Sequence, residues 1–222
     1  MTFNFCPPLE LPSLISETTP DGKRQYCLPD GRKVPSVTTV LGWAKRKVIF
    51  EWRQRVGEAE ANKISARASK RGNSMHLIAE AYIRNEKNYY RDAMPDARAS
   101  FLSIKPFLSN ISEVYYQEQS LWSYQLELAG RVDLIAHYEG VLSVIDFKTS
   151  SREKKKEDIE DYFQQTAAYA LMHEELTGIP IHNLVIIIAM DEGQSAVFID
   201  RTDRHIVGLV KAISDYKRDN KL

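Results

Sequence analysis

The stretch from Gly130 to Ser150 constrains this chain more than any other part of it. It holds two apolar, β-prone runs, Arg131 to Tyr138 and Val141 to Thr149, separated by a Glu139-Gly140 turn. Side chains alternate faces along a strand, so Asp146 and Lys148 point to the same side. If the two runs pair around that turn, Asp133 comes near Asp146 across the ladder. Two carboxylates and an ammonium group then converge inside an otherwise apolar sheet. Burying such charges is costly unless they pair with one another or hold a cation. Oxygen donors converging in this way suit Mg²⁺ or Mn²⁺. An ordinary hairpin with an Asp–Lys salt bridge is the plainer alternative.

Other polar residues pair on single helix faces. His76 and Glu80 lie at i and i+4 on a helix predicted from Met75 to about Asn85, capped by Asn73 or Ser74 after Lys70-Arg71-Gly72 ends the preceding segment. Gln165 and Tyr169 share a face of a helix predicted over Asp158 to Thr177, where they reach toward the central strand to position a phosphate or an attacking water. Glu118 falls in a strand before the hairpin, either facing the same charges or exposed. After Lys148, the polar loop Ser150 to Lys156 either touches phosphates or is simply solvated.

Formal net charge is zero, but its distribution is uneven. Residues 23–72 carry 13 Lys/Arg against 4 Asp/Glu, a local charge of +9. Within this segment Lys45 to Ala68 is predicted helical, broken near Gly57, with Trp43, Ile49, Phe50, Trp52 and Val56 supplying apolar contacts. Basic residues interleave with them, including Lys47, Arg53, Arg55 and, further on, Arg71. That mixture suits a single nucleic-acid strand, whose bases stack and whose phosphates pair with cations, or else a solvated face over core tryptophans. Just before it, Ser36 is a candidate N-cap of a short helix ended by Gly42, with Thr38 beside it; residues 25–28 and Val34 form a small hairpin.

These pieces together resemble the PD-(D/E)xK nuclease superfamily in its RecB-like exonuclease branch. That pattern places Gly-x-x-Asp, then Asp-x-Lys, then a helix bearing Gln-x-x-x-Tyr, with a His on an earlier helix. The chain has Gly130 to Asp133, Asp146 to Lys148, Gln165 to Tyr169 and His76, in that order, and the likeness covers about residues 34 to 200. The resemblance implies a mixed sheet flanked by helices, with a restriction-endonuclease-like core. It implies metal ligation by His76, Asp133, Asp146 and the Phe147 carbonyl, with Glu118 a less certain ligand and Glu80 orienting His76 from behind. Lys148 would orient or help deprotonate water. One or two Mg²⁺ or Mn²⁺ ions would serve, and the Pro-Ser-Val-Thr segment with Ser36 and Thr38 would approach nucleic acid. The activity implied is a DNA exonuclease preferring linear single strands with a free end. A structure-selective endonuclease, or a non-catalytic DNA-binding subunit of a recombination complex, are the alternatives.

At 222 residues the chain is within reach of one domain, read as a mostly helical part over residues 1–110, a wall or arch, and a sheet core over 111–222. No apolar run approaches the roughly 20 residues that a membrane span needs. The first residues lack a basic, then apolar, secretory pattern and an Arg-rich transit pattern, so a cytoplasmic setting is expected, a host's if the source is a phage. Two cysteines, Cys6 and Cys27, are too few for the four-thiolate iron–sulfur cluster that some RecB-like nucleases hold.

Overall fold

The fold is described from a computed structural model, which describes residues 2–6, 9–90, 93–191 and 194–221. A small antiparallel sheet comes first: β1 (Ile15–Thr18), β2 (Arg24–Cys27) and β3 (Lys33–Pro35). Three helices follow, α1 (Val37–Ala44), α2 (Arg46–Val56) and α3 (Glu58–Ile83), then α4 (Pro95–Ile104). The main sheet takes β4 (Ile111–Ser123), β5 (Leu128–Tyr138) and β6 (Val141–Ser150); after α5 (Glu160–Thr177) come β7 (Asn183–Met190), β8 (Ser195–Arg201) and α6 (Ile206–Asn220).

The five strands lie in chain order, β4-β5-β6-β7-β8, and only β6 and β7 run parallel. A parallel neighbour cannot be reached by a tight turn, and α5 is the crossover that makes it possible. Both faces of the central strands are covered, as the unbroken apolar run of β7 requires. On one face Val144, Ile186 and Ile188 pack with Phe163, Ala167 and Met172 of α5 and Leu209 of α6. On the other, Ile145, Phe147, Val185 and Ile187 meet Met75 and Ile78 of α3 and Phe101 and Ile104 of α4. The fold is thus the mixed α/β sheet flanked by helices that the sequence implied.

Several boundaries differ from expectation. α3 does not stop at Lys70-Arg71-Gly72: it runs unbroken to Ile83, so Asn73 and Ser74 are interior residues and cap nothing. A glycine inside a helix costs only about 1 kcal/mol relative to Ala, which tertiary packing overrides. α1 likewise passes through Gly42 to Ala44, although Ser36 does cap it, its Oγ accepting from the Thr39 amide at 3.0 Å. The break at Gly57 is present, with φ at +91° between α2 and α3. β1 forms within the part read as mostly helical, and β5 begins at Leu128, so Gly130 is a strand interior residue.

α2 stands away from the core. It buries no residue, and Ile49 and Phe50 are exposed rather than packed. Its root is instead held by the C-terminal helix. Trp43 packs edge-on against Tyr216 of α6 and its indole Nε1 donates to Asp219 Oδ2 at 3.1 Å; Arg46, stacked on Trp43 at 4.1 Å, donates to the same oxygen at 2.7 Å. Cys6 and Cys27 are free thiols, and no helix among the described residues is long and apolar enough to cross a membrane.

Gly130 is where the sheet lets α5 approach. A Cβ there would stand 2.8 Å from both the ring and the hydroxyl of Tyr169. Gly130→Ala should therefore lower stability by about 1–3 kcal/mol through overpacking. Urea unfolding tests this, and an unchanged midpoint would mean that the Tyr169 ring moves aside freely.

Candidate active site

Three acids lie in one row across three strands. Gln117 pairs with Leu134 and Gln119 with Val132, which sets Glu118 of β4 opposite Asp133 of β5. Leu134 pairs with Ile145, so the next rung would join Asp133 to Asp146 of β6. That rung does not form. The ladder ends at Leu134, and the Asp133 carboxylate takes the place of a backbone acceptor, its Oδ2 receiving the Phe147 N–H at 2.9 Å. Both polar groups of one strand residue face the same neighbour, so the Phe147 carbonyl opens toward the same gap.

The strands are irregular at this row. Glu118 has φ at +52°, a conformation that non-glycine residues seldom adopt and that the surrounding structure has to hold in place. On β5, Val132 packs in the cluster under α5 while Leu134, two residues on, packs in the cluster under α3. Strand alternation would put both on one face, so it turns over at Asp133.

His76 reaches this row from α3, with Nδ1 3.5 Å from Asp133 Oδ2. One ligand atom each from His76, Glu118 and Asp133 fall within 4.8 Å of one another. Asp146 is outside that group and is engaged with Lys148. Lys148 Nζ lies 2.7 Å from Asp146 Oδ1 and 2.5 Å from Oδ2. The Asp146 side chain is 2% exposed and that of Lys148 20%. Gln165 joins the two, its Nε2 donating to Asp146 Oδ1 at 3.0 Å and its Oε1 accepting from Lys148 at 3.3 Å.

The electrostatics of the row are those of too many carboxylates for their surroundings. Burial, with Asp133 and Glu80 adding like charge, pushes the Glu118 carboxyl up to about 7 against the pull of Arg131 and His76. Burial likewise pushes Asp146 up, with Asp133 adding to the shift and Lys148 opposing it. For Lys148, burial pulls the ammonium down, but Asp146 and Asp133 outweigh it and hold it above the usual lysine range. Tyr169, buried beside Asp133 and Asp146, is held well above the usual phenol range and keeps its proton. Asp146 Oδ2 is buried and, despite the nearby ammonium, has no hydrogen-bond geometry to any donor. An unsatisfied carboxylate oxygen, a carboxyl raised by its acidic neighbours and a His–Glu–Asp cluster form a donor set that a hard divalent cation fits.

These groups open into a cleft of about 580 Å³. Ser36 and Thr38 line it, as do Gln165, Tyr169 and Glu80. Glu80 pairs with Arg84 at 2.5 Å rather than orienting His76. The other anticipated contacts are placed differently. Arg71 is ion-paired with Asp191, Arg53 is held by Glu58 and Asn62, and Ser150 Oγ closes a turn by donating to the Arg152 carbonyl at 2.7 Å. Lys47, Trp52 and Arg55 sit on α2 and do not line the cleft. Sequence reasoning passed over Arg24, Tyr26, Asn73 and Arg131, which do line it, and Tyr162, whose ring lies 5.2 Å from Lys148 Nζ. Tyr162 could have been found, because it stands at i−3 and i−7 from Gln165 and Tyr169 on one helix face.

Residues 47–203 match the model of the PD-(D/E)XK nuclease superfamily. The chain is also 27% identical over 177 residues to mitochondrial genome maintenance exonuclease 1 of Homo sapiens, covering 73% of this chain and 51% of that protein. It is 28% identical over 177 residues to the Xenopus tropicalis protein of the same name, covering 73% of this chain and 50% of the relative. The chain thus spans about half the length of these curated relatives.

A raised carboxyl makes stability depend on pH. Glu118 binds its proton more tightly folded than unfolded, so its contribution is present below about pH 4.5 and is lost as pH rises through its folded value of about 7. In chelator, melting temperature should fall between about pH 5 and 8, and Glu118→Gln should flatten that slope. Mg²⁺ or Mn²⁺ should restore more stability at pH 8 than at pH 5. Parallel slopes for the wild type and the variant in scanning fluorimetry would remove Glu118 as the source.

Proposed function

This chain belongs to the PD-(D/E)XK nuclease superfamily, and we propose that it is a divalent-metal-dependent DNA exonuclease acting on linear single strands. The observation that carries the reading is that Lys148 and Gln165, both bonded to the buried Asp146, line the same cleft as the Glu118–Asp133–His76 group. His76, Glu118, Asp133, Asp146 and the Phe147 carbonyl would hold one or two Mg²⁺ or Mn²⁺ ions. Such an ion supplies Lewis-acid polarisation of the phosphate and a more acidic bound water.

The chain's own groups do the rest. Lys148, kept charged by Asp146 and Asp133, stabilises the negative charge that develops on the phosphoryl oxygens and orients the attacking water. Gln165 holds Asp146 and Lys148 in one geometry, so neither must reorganise as charge develops. Tyr169 keeps its proton and offers it as a hydrogen bond to a phosphate oxygen. Arg24, Ser36 and Thr38 on the cleft wall position the backbone on either side.

The residues before 111 act as a wall or arch over the sheet core. The +9 charge of residues 23–72, with Val48, Ile49 and Phe50 exposed on α2, suits a flexible strand that offers phosphates and unstacked bases together. A strand passed beneath such an arch has to enter by an end. Two unpaired thiols agree with a reducing, cytoplasmic setting.

The test uses labelled linear and closed circular DNA, single- and double-stranded, with Mg²⁺, Mn²⁺ or chelator. Linear single strands should be degraded with metal only, blunt duplex poorly and closed single-stranded circles hardly at all. Asp146→Ala and Lys148→Ala should each lower turnover by about 10²-fold or more while DNA binding persists. Rapid cutting of closed circles would replace the exonuclease reading with an endonuclease. Near-normal turnover in either variant, at matched circular dichroism, would dismiss the proposed chemistry.

A further inference from the structure

α3 presents two adjacent rows of side chains to two adjacent spaces. Ser69, Asn73, His76 and Glu80 face the catalytic cleft. Ser74, Leu77 and Ile78 face a second pocket of about 270 Å³, and Leu77 lines both. Next to the candidate metal ligand, then, stands a leucine that is 64% exposed and divides the two spaces.

The far wall of the second pocket is aromatic. Tyr89 is fixed edge-on against Tyr82 and Tyr90, with ring centroids 4.8 and 4.5 Å away, and its hydroxyl accepts from Lys105 at 3.1 Å. Tyr90 is 37% exposed and carries the Arg98 guanidinium 4.5 Å from its centroid. Asn88 adds an amide able to donate and accept, and the outer side of the same tyrosines is bordered by Lys87 and Arg98. Flat aromatic surface, one amide and a cationic border describe a ligand that is planar, hydrogen-bonding at its edge and attached to negative charge. That is a nucleobase on its phosphate backbone.

We propose that this pocket receives one base of a single strand whose backbone lies in the catalytic cleft, with Tyr90 as the stacking surface, Asn88 as the edge contact and Leu77 as the divider from the next base. The inference rests on the nuclease reading and adds to it a seat for a base beside the reacting phosphate.

The experiment walks one 2-aminopurine, and separately one abasic site, along a linear single-stranded oligonucleotide bound to the full chain, with Ca²⁺ in place of Mg²⁺. The fluorescence of 2-aminopurine should change at one position near the held end, and an abasic site there should weaken binding by about 5- to 10-fold, as loss of one stacked base does. Tyr90→Ala should erase both effects at that position alone, Tyr90→Phe should retain them, and Leu77→Ala should blur them over two positions. If DNA is bound but the positional profile is the same in the wild type and all three variants, the pocket is no base site and the nuclease reading stands. If the wild type neither binds nor cuts DNA with any divalent ion, the nuclease reading fails and the base site with it. Concentration-dependent self-association abolished by Leu77→Ala, with a flat profile, would assign the pocket to a second copy of the chain instead.

Discussion

The contact between Asp146 and Lys148 holds the centre of the molecule together, because neither charge can be left alone where it lies. Asp146 is under α5 and Lys148 is two residues further along the same face of β6. Removing one partner from a buried ion pair costs about 3–5 kcal/mol, most of it the stranded charge that remains. The pair therefore dictates its surroundings. Gln165 must bond to both members, and Tyr162 presents its ring to the ammonium. α5 can come that close only because β5 has no side chain at Gly130. The apolar layers above and below set where β6 lies, and the pair sets what may approach it.

A regular sheet could not have built the neighbouring group. Had the β5–β6 ladder continued, Asp133 would have met Asp146 as an ordinary cross-strand pair of like charges, which is destabilising. The ladder stops one residue short, the Asp133 carboxylate accepts the Phe147 amide, and the strand's alternation reverses there. The Glu118 backbone is in the left-handed region opposite. These irregularities turn Asp133 toward Glu118 and His76, so that helix α3 can contribute to a site otherwise made of strands. Burial then raises the Glu118 carboxyl among its acidic neighbours.

What could be read from the sequence depended on whether the signal was local. Alternation alone puts Asp146 and Lys148 on one face, and the i,i+4 spacing puts Gln165 with Tyr169; Lys148, Gln165 and Tyr169 line one cleft, and Asp146 is bonded to Lys148. The mixed sheet flanked by helices is what the resemblance implies, and the strands form it. The failures were tertiary. Gly72 and Asn73-Ser74 carry the local marks of a stop and a cap, yet α3 continues through them. Ile49 and Phe50 are apolar and lie at the surface. Nor does the sequence show that Arg53, Arg71 and Arg46 each have an acidic partner, since two of those partners are distant in the chain. Register irregularities at Glu118 and Asp133 leave no mark in composition, so the close grouping of Glu118 with His76 and Asp133 is not legible there.

Neutral net charge and an acidic cleft together limit how a polyanion can bind here. Glu118, Asp133 and Asp146 stand side by side, and the cations nearest to them are Lys148, Arg131 and, on the wall, Arg24. Lys148 is already committed to Asp146, and Arg131 leans on Glu118, its Nε donating to the Glu118 carbonyl at 3.1 Å. A phosphate entering this row finds Lys148 and Arg131 already paired with carboxylates, so it adds negative charge that these cations do not offset. Under the proposed function a divalent ion supplies the difference, so ion and substrate each favour the other's binding by the same free energy. The raised carboxyls follow from burial and the same crowding of negative charge. The +9 segment can draw DNA toward the protein at a distance. It cannot seat a phosphate among three carboxylates, and that selectivity belongs to the cleft.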